Sequence, residues 1–312
     1  MITGKAGRLA FAGAALAVLA TVAVPLASVT PPSAAATRIV AVGAENEYAD
    51  VIAQIGGAHV SVDSIMSNPN TDPHLFEASP SVAREIASAS LVVQNGVGYD
   101  TFMSRLESAS PSAHRTVIVV QSLLRLPTNT PNPHLWYKPT TMGLVASAVE
   151  RALARLDRAD APYFAARLAR FQASMSTLRA SYAAFDQRFG GRPVATTEPV
   201  ADYLLTALGL TNRTPFAFQS DIMNGVDPSP QDVSLEDSLL SGHRVAMLCY
   251  NAQVVSPVTL ETRALAVRSR VPIVAVYETM PTGYDYQTWM AAELRAMSAA
   301  LAHHTSTTTL LK

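Results

Sequence analysis

Short apolar runs alternate with amphipathic stretches along most of the chain. "RIVAVGA" (Arg38 to Ala44) is a buried-strand run closed near a glycine, and "ENEYADVIAQIGG" places Tyr48, Val51, Ile52 and Ile55 at helical spacing before a Gly pair stops it. "HVSVDSIM" follows as a strand, then the loop "SNPNTDPHLFEASPS", the amphipathic "PSVAREIASAS", and the fully apolar strands "LVVQNG" and "TVIVV". Apolar strands of this kind, spaced by helices, predict a parallel sheet covered on both faces.

From Thr140 to about Phe189 the pattern becomes helical throughout. This stretch has no Gly after Gly143 and one Pro, Pro162, so it predicts one or two helices totalling about 60 to 70 Å at a rise of 1.5 Å per residue. That length suits a connection across two lobes better than a helix inside one. Alternation resumes after "GGRP": "VATTE", the helix "PVADYLLTALG", "TPFAFQS", a Pro- and Asp-rich stretch, the helix "QDVSLEDSLLSG", the strand "RVAMLCYN", the helix "TLETRALAVRSR", the strand "VPIVAVYE", and a last helix from about Tyr286. The fold class expected is α/β: two lobes, each with a mainly parallel sheet flanked by helices. The division is residues 37–139 for the N-terminal lobe, 140–189 for the helical bridge and 190–312 for the C-terminal lobe.

The first 36 residues break this pattern. Lys5 and Arg8 precede a long uncharged apolar run, and small residues surround Ala34 and Ala36. This is the layout of an export signal cleaved after Ala36. The apolar part approaches the roughly 20 residues that span a bilayer, so a retained anchor is the competing reading. No cysteine follows the run, which argues against a lipid anchor. Loss of Lys5 and Arg8 would take the formal charge from −1 to −3. With no basic stripe either, nucleic acid is not expected as a partner. The one cysteine, Cys249, sits in an apolar run, where it reads as a buried strand residue.

Chemistry concentrates in a repeated motif. "DPHLF" (Asp72 to Phe76) returns as "NPHLW" (Asn132 to Trp136), in a chain with only seven histidines. A His directly after Pro is kept out of helix interiors, so His74 and His134 are both presented on loops. Asp72 and Asn132 can stiffen those turns, while Phe76 and Trp136 anchor them. Such scaffolding suits metal ligands. Ligands of open parallel sheets gather at the carboxyl ends of strands. There "VATTE" ends in Glu198 and "VPIVAVYE" in Glu278, which together with the imidazoles would supply two nitrogens and two anionic oxygens. Glu45 and Asn251, also at strand ends, are candidates to support those ligands. His303 and His304, near the end of the last helix, have no loop scaffold and read as a solvated helix end.

These segments resemble the zinc and manganese solute-binding proteins of ABC importers. The likeness rests on "DPHLFEASPSVAREIASASLVVQNGVGYD", "NPHLWYKP", "TTEPVADYLLTALG", "YNAQVVSP" and "VPIVAVYETMPTG". It implies two α/β lobes bridged by one long helix. It also implies a metal site of His74, His134, Glu198 and Glu278, one divalent ion as cargo (Mn2+ or Zn2+, with Fe2+ possible), and a membrane permease as partner. A monomer is expected. Many zinc-type members carry His where this chain has Glu198, and a His-rich loop where it has "RLPTNTPNP". Two carboxylates move preference toward harder metals, although zinc outcompetes manganese and iron at most fixed nitrogen and oxygen sites. A metallohydrolase and a surface adhesin of the same fold are the alternatives. Against the first stand the missing H-E-x-x-H and a four-ligand set without an open position.

Overall fold

The structure is a computed structural model that describes residues 1–10, 13, 38–70 and 72–310. Residues 1–36 form a unit of their own, and the expected cleavage point after Ala36 lies outside the described residues. Among the described residues no helix is long and apolar enough to cross a membrane.

The first lobe runs β1 (Ile39–Glu45), α1 (Asn46–Gly56), β2 (Val60–Met66), α2 (Pro80–Ser88), β3 (Leu91–Gln94), α3 (Thr101–Ala109), β4 (Thr116–Val119) and a short α4 (Val120–Leu123). Two helices follow, α5 (Thr141–Leu156) and α6 (Ala161–Phe189). The second lobe continues with β5 (Pro193–Thr196), α7 (Asp202–Ala207), β6 (Thr211–Asn212), α8 (Phe216–Met223), α9 (Pro230–Ser241), β7 (Leu248–Asn251), α10 (Pro257–Arg268), β8 (Ile273–Val276) and α11 (Tyr286–His303).

Both sheets are wholly parallel, in the orders β2-β1-β3-β4 and β6-β5-β7-β8. In each, the chain steps to one side of the lobe's first strand and then crosses to the other. That reversal opens a crevice at the carboxyl ends of β1 and β3 in one lobe, and of β5 and β7 in the other. The strands are short and the inner ones are covered on both faces, as helices packed on a parallel sheet require: all four residues of β3, of β7 and of β8 are buried, while the edge strands β2 and β6 are partly exposed.

The helical stretch from 140 to 189 is two helices, not one. Asp157 accepts from the backbone N–H groups of Ala159 (3.1 Å) and Asp160 (3.3 Å), a turn that ends α5, and Pro162 then opens α6. The 29 residues of α6 span about 44 Å. One stripe of this helix (Phe164, Phe171, Met175, Leu178, Tyr182, Phe185, Phe189) is buried. It belongs to a single apolar core that takes in Tyr48 and Trp136 from the first lobe and Leu204, Val274 and Trp289 from the second. The lobes therefore share one interior. Direct bonds reinforce it: Asn46 exchanges two hydrogen bonds with the backbone of Met280 (2.8 and 2.9 Å), and Tyr286 donates to the Trp136 carbonyl (2.6 Å).

Candidate metal centre

His74 lies in a one-turn 3-10 segment after β2, entered through Asp72, whose carboxylate accepts from the His74 backbone N–H at 2.8 Å. His134 lies after β4 in a similar turn, where Asn132 Oδ1 accepts from its backbone N–H at 3.0 Å. These Asx bonds hold the Pro-His dipeptides in place. Around His134 the cage is aromatic: the Tyr99 and Trp136 rings both meet its imidazole edge-on, with centroids 5.9 and 5.4 Å away.

The two imidazoles converge on Glu278. His134 Nε2 is 3.1 Å from Glu278 Oε2, His74 Nε2 is 3.2 Å from the same oxygen, and Tyr99 Oη donates to it at 3.0 Å. One ligand atom from each of His74, His134 and Glu278 lies within 4.8 Å of the others. Donors bound about 2.0–2.2 Å from one ion stand about 3.0–3.5 Å apart at octahedral to tetrahedral angles, so the spacing matches a shared ion.

The proton arrangement argues the same way. Asn132 spends its amide N–H on the Pro199 carbonyl (2.7 Å), leaving Oδ1 as an acceptor 2.8 Å from His134 Nδ1. Nδ1 must therefore carry the hydrogen, and Nε2 of the neutral ring turns a lone pair toward a carboxylate oxygen. Two acceptors face each other unless a cation stands between them or a proton sits on the ring or on the acid. Burial keeps the His134 pKa below its ordinary value, against the pull of Glu278, which disfavours a proton on the ring. His74 is different. Burial lowers its pKa too, but Glu278, Asp72 and Glu198 outweigh that and push it up to about 9. For Glu278, burial pushes the carboxyl up, and the bond and charge of protonated His74 pull it below the usual range.

Glu198 stands one step away from this triad. Asn251 Nδ2 donates to both Glu198 Oε2 and, at 2.8 Å, Glu278 Oε1, so the two acids are joined through one amide. Burial first, and then the Glu278 charge, raise Glu198 well above the carboxylate range. Its Oε1 is buried with no hydrogen-bond partner. The backbone of Glu278 is itself fixed, its N–H and that of Thr279 both donating to Gln253 Oε1 (2.6 and 2.8 Å). Asn251, expected to support the ligands, bonds both acids. Glu45 does not join the ligands. It is buried against Asp100 and Glu47, and these neighbours add to burial in raising its pKa.

A groove of about 320 Å³ between the lobes leads to His74, lined also by Tyr99, Pro131, Phe216 and Met223. Tyr99 is the participant the sequence did not single out, and Asn132, read as stiffening its turn, also bonds the His134 ring and the Pro199 carbonyl. An aromatic in the turn between β3 and α3 and a motif's first residue were the available signals. Elsewhere, Cys249 is buried and unpaired on β7, and His303 and His304 are exposed at the end of α11. A second group, His59, Asp157 and Asp160, is half-buried at the start of α6, where Asp157 already serves the turn.

Two parallel-sheet lobes on a shared long helix, with nitrogen and carboxylate donors meeting between them, define a class of metal-binding two-lobed proteins. This chain belongs to the family of the zinc-uptake complex component A, periplasmic (ZnuA), whose model matches residues 42–300. Among curated relatives, the manganese-binding lipoprotein MntA of Bacillus subtilis is 29% identical over 98 residues, 30% of this chain and 32% of MntA. The chain spans about a third of the length of the curated relatives it matches. Two solved structures share the fold over nearly their whole length. FpvC of Pseudomonas aeruginosa, in complex with Mn2+, has a TM-score of 0.69 at 22% identity, covering 85% of this chain and 98% of FpvC. The periplasmic zinc-binding protein TroA of Treponema pallidum has a TM-score of 0.68 at 18% identity, covering 86% and 99%.

Proposed function

We propose that this protein is an exported solute-binding protein that captures one divalent transition metal and delivers it to the permease of an ABC importer. The observation that carries the reading is the convergence of His74 Nε2 and His134 Nε2 on one Glu278 oxygen, at 3.2 and 3.1 Å, inside the inter-lobe cleft. His74, His134 and Glu278 bind the ion directly, and Glu198 completes the set with its unpartnered Oε1. Asn251 holds the two acids side by side. Family membership and the Mn2+ and zinc relatives named above support the same role.

Manganese and zinc both fit two imidazoles with two carboxylates. The oxygen-rich half of the set favours harder manganese or ferrous iron, while the Irving–Williams order gives zinc at least equal affinity in vitro. Export is supported by the N-terminal pattern around Lys5, Arg8 and Ala36, and domain limits of 37–139, 140–189 and 190–312 follow the two sheets and the helices between them. No catalytic role is assigned: the chain carries no H-E-x-x-H motif and the matching family is an uptake component. Growth of a deletion strain under separate zinc and manganese limitation tests the role and the cargo together. A defect relieved by one metal identifies it, and normal growth under both limitations contradicts import of zinc or manganese.

A further inference from the structure

Glu293 is fully buried on α11, away from the ligands, yet it is wired to both ligand-bearing segments. Its Oε1 accepts from Trp289 Nε1 (3.0 Å) and lies 2.7 Å from Tyr137 Oη. The same phenol oxygen is 2.8 Å from the Tyr277 carbonyl. Tyr137 closes the turn that begins at His134, its N–H donating to the His134 carbonyl at 3.1 Å. Tyr277 directly precedes Glu278. One phenol thus ties the His134 turn to the Glu278 strand end.

The proton count makes this junction conditional. A phenol has one proton, and two oxygens within 2.8 Å call for it. If Glu293 is ionised, one of those contacts has no hydrogen in it. If Glu293 is neutral, its own O–H donates to Tyr137 Oη, and the phenol proton is left for the Tyr277 carbonyl. Tyr182 from α6, Cys249 from β7, Tyr277 beyond β8, Tyr137, and Tyr286 of the same helix are the titratable groups that face Glu293; none is a cation.

We propose that Glu293 is a positioning residue for the metal centre: as the neutral acid it locks Tyr137 onto the Tyr277 carbonyl and so fixes Glu278 against His134. The inference rests on the metal-binding reading above. Burial, opposed by the bonds from Tyr137 and Trp289, carries Glu293 up from 4.5 to about 8. Below that value the lock is closed. Above it the phenol proton turns to the carboxylate and the Tyr277 carbonyl loses its donor; Gln253 and the Tyr277 N–H, 3.4 Å from Tyr137 Oη, still hold the segment, so Glu278 is loosened rather than released and the ion leaves faster. Proton competition at the ligands themselves acts in the opposite direction, because ligands that lose protons hold a metal better.

The test is the rate at which the zinc-loaded protein gives up its ion to a chelating dye, followed from about pH 6.5 to 9. The wild-type rate is expected to rise on the order of tenfold through pH 8, the scale of a lost supporting contact. Glu293→Gln, which has no proton to lose, is expected to show no rise, and Tyr137→Phe to release fast at every pH. A wild-type rate that stays flat or falls, or a rise that survives in Glu293→Gln, overturns the inference alone. Failure of the wild type to hold zinc at all overturns the metal reading, and this inference with it.

Discussion

The two Pro-His turns are written almost alike and are held very differently. His134 has a fully buried side chain, and its Nδ1 is fixed by Asn132, which reaches across to the Pro199 carbonyl beside Glu198. His74 keeps 22% of its side chain exposed at the mouth of the groove, and Asp72 bonds the backbone of its own turn. The single difference at the head of the motif accounts for much of this. An amide can accept from the imidazole and donate to a carbonyl at once, whereas a carboxylate can only accept. His134 is accordingly the fixed half of the nitrogen pair and His74 the half next to solvent, the side on which the proposed function has an ion enter and leave.

The strongest way to break the comparison is to remove each imidazole. His134→Ala is expected to abolish stoichiometric binding, and His74→Ala to weaken it by a smaller factor while raising the release rate, as measured by metal titration and chelator competition. Equal losses would contradict the division between fixed and solvent-side ligand. The double variant should hold no ion and keep its helical circular dichroism.

Next in size is Asn132. Asn132→Ala removes both the imidazole bond and the bond to Pro199, and is expected to cost about 10- to 100-fold in affinity, the range for groups that orient a ligating histidine. Asn132→Asp keeps an acceptor for Nδ1 and loses only the cross-lobe donor, so its loss should be smaller. Asp72→Ala, which removes one turn bond, is expected to lower affinity least of the three. Isothermal titration of the set gives the order directly.

Metal-free stability should respond to pH through the buried acids. Burial raises Asp50, Asp100 and Asp202 to about 6 and Glu236 to about 8, all above their ordinary values. A raised acid holds a proton in the fold that it loses on unfolding. Its stabilisation is complete below the unfolded pKa near 4 and is lost as pH rises through 6 to 8. The metal-free Tm should therefore fall between pH 5 and 8.5, and Glu236→Gln should flatten the alkaline end of that fall. The smallest effect expected is in shape. A core shared by both lobes and a 29-residue α6 resist wide closure, so scattering profiles with and without metal should nearly coincide.

Much of this could be read from local pattern. Apolar runs ended by Gly or acids located the strands, and strand ends located Glu198, Glu278 and Asn251. The repeated Pro-His motif located both imidazoles. What local pattern does not carry is contact between distant segments. Asn132 reads as a turn former, and its bond to Pro199, 67 positions away, is visible only once the lobes are assembled. Tyr99 in "VGYD" and Tyr137 in "HLWYKP" carry no local sign of a role, which shows once their hydroxyls are seen on Glu278 and the Tyr277 carbonyl. The break between α5 and α6 was half legible: Pro162 marks it, but the Asp157 turn that ends the first helix depends on backbone geometry.

The most direct measurement is the anomalous scattering of crystals of the manganese-loaded protein, recorded at the metal's absorption edge. The account predicts one peak between the lobes, about 2.0–2.3 Å from His74 Nε2, His134 Nε2 and carboxylate oxygens of Glu278 and Glu198. A peak at His59, Asp157 and Asp160 instead, or one in the cleft that leaves out either imidazole, would contradict it.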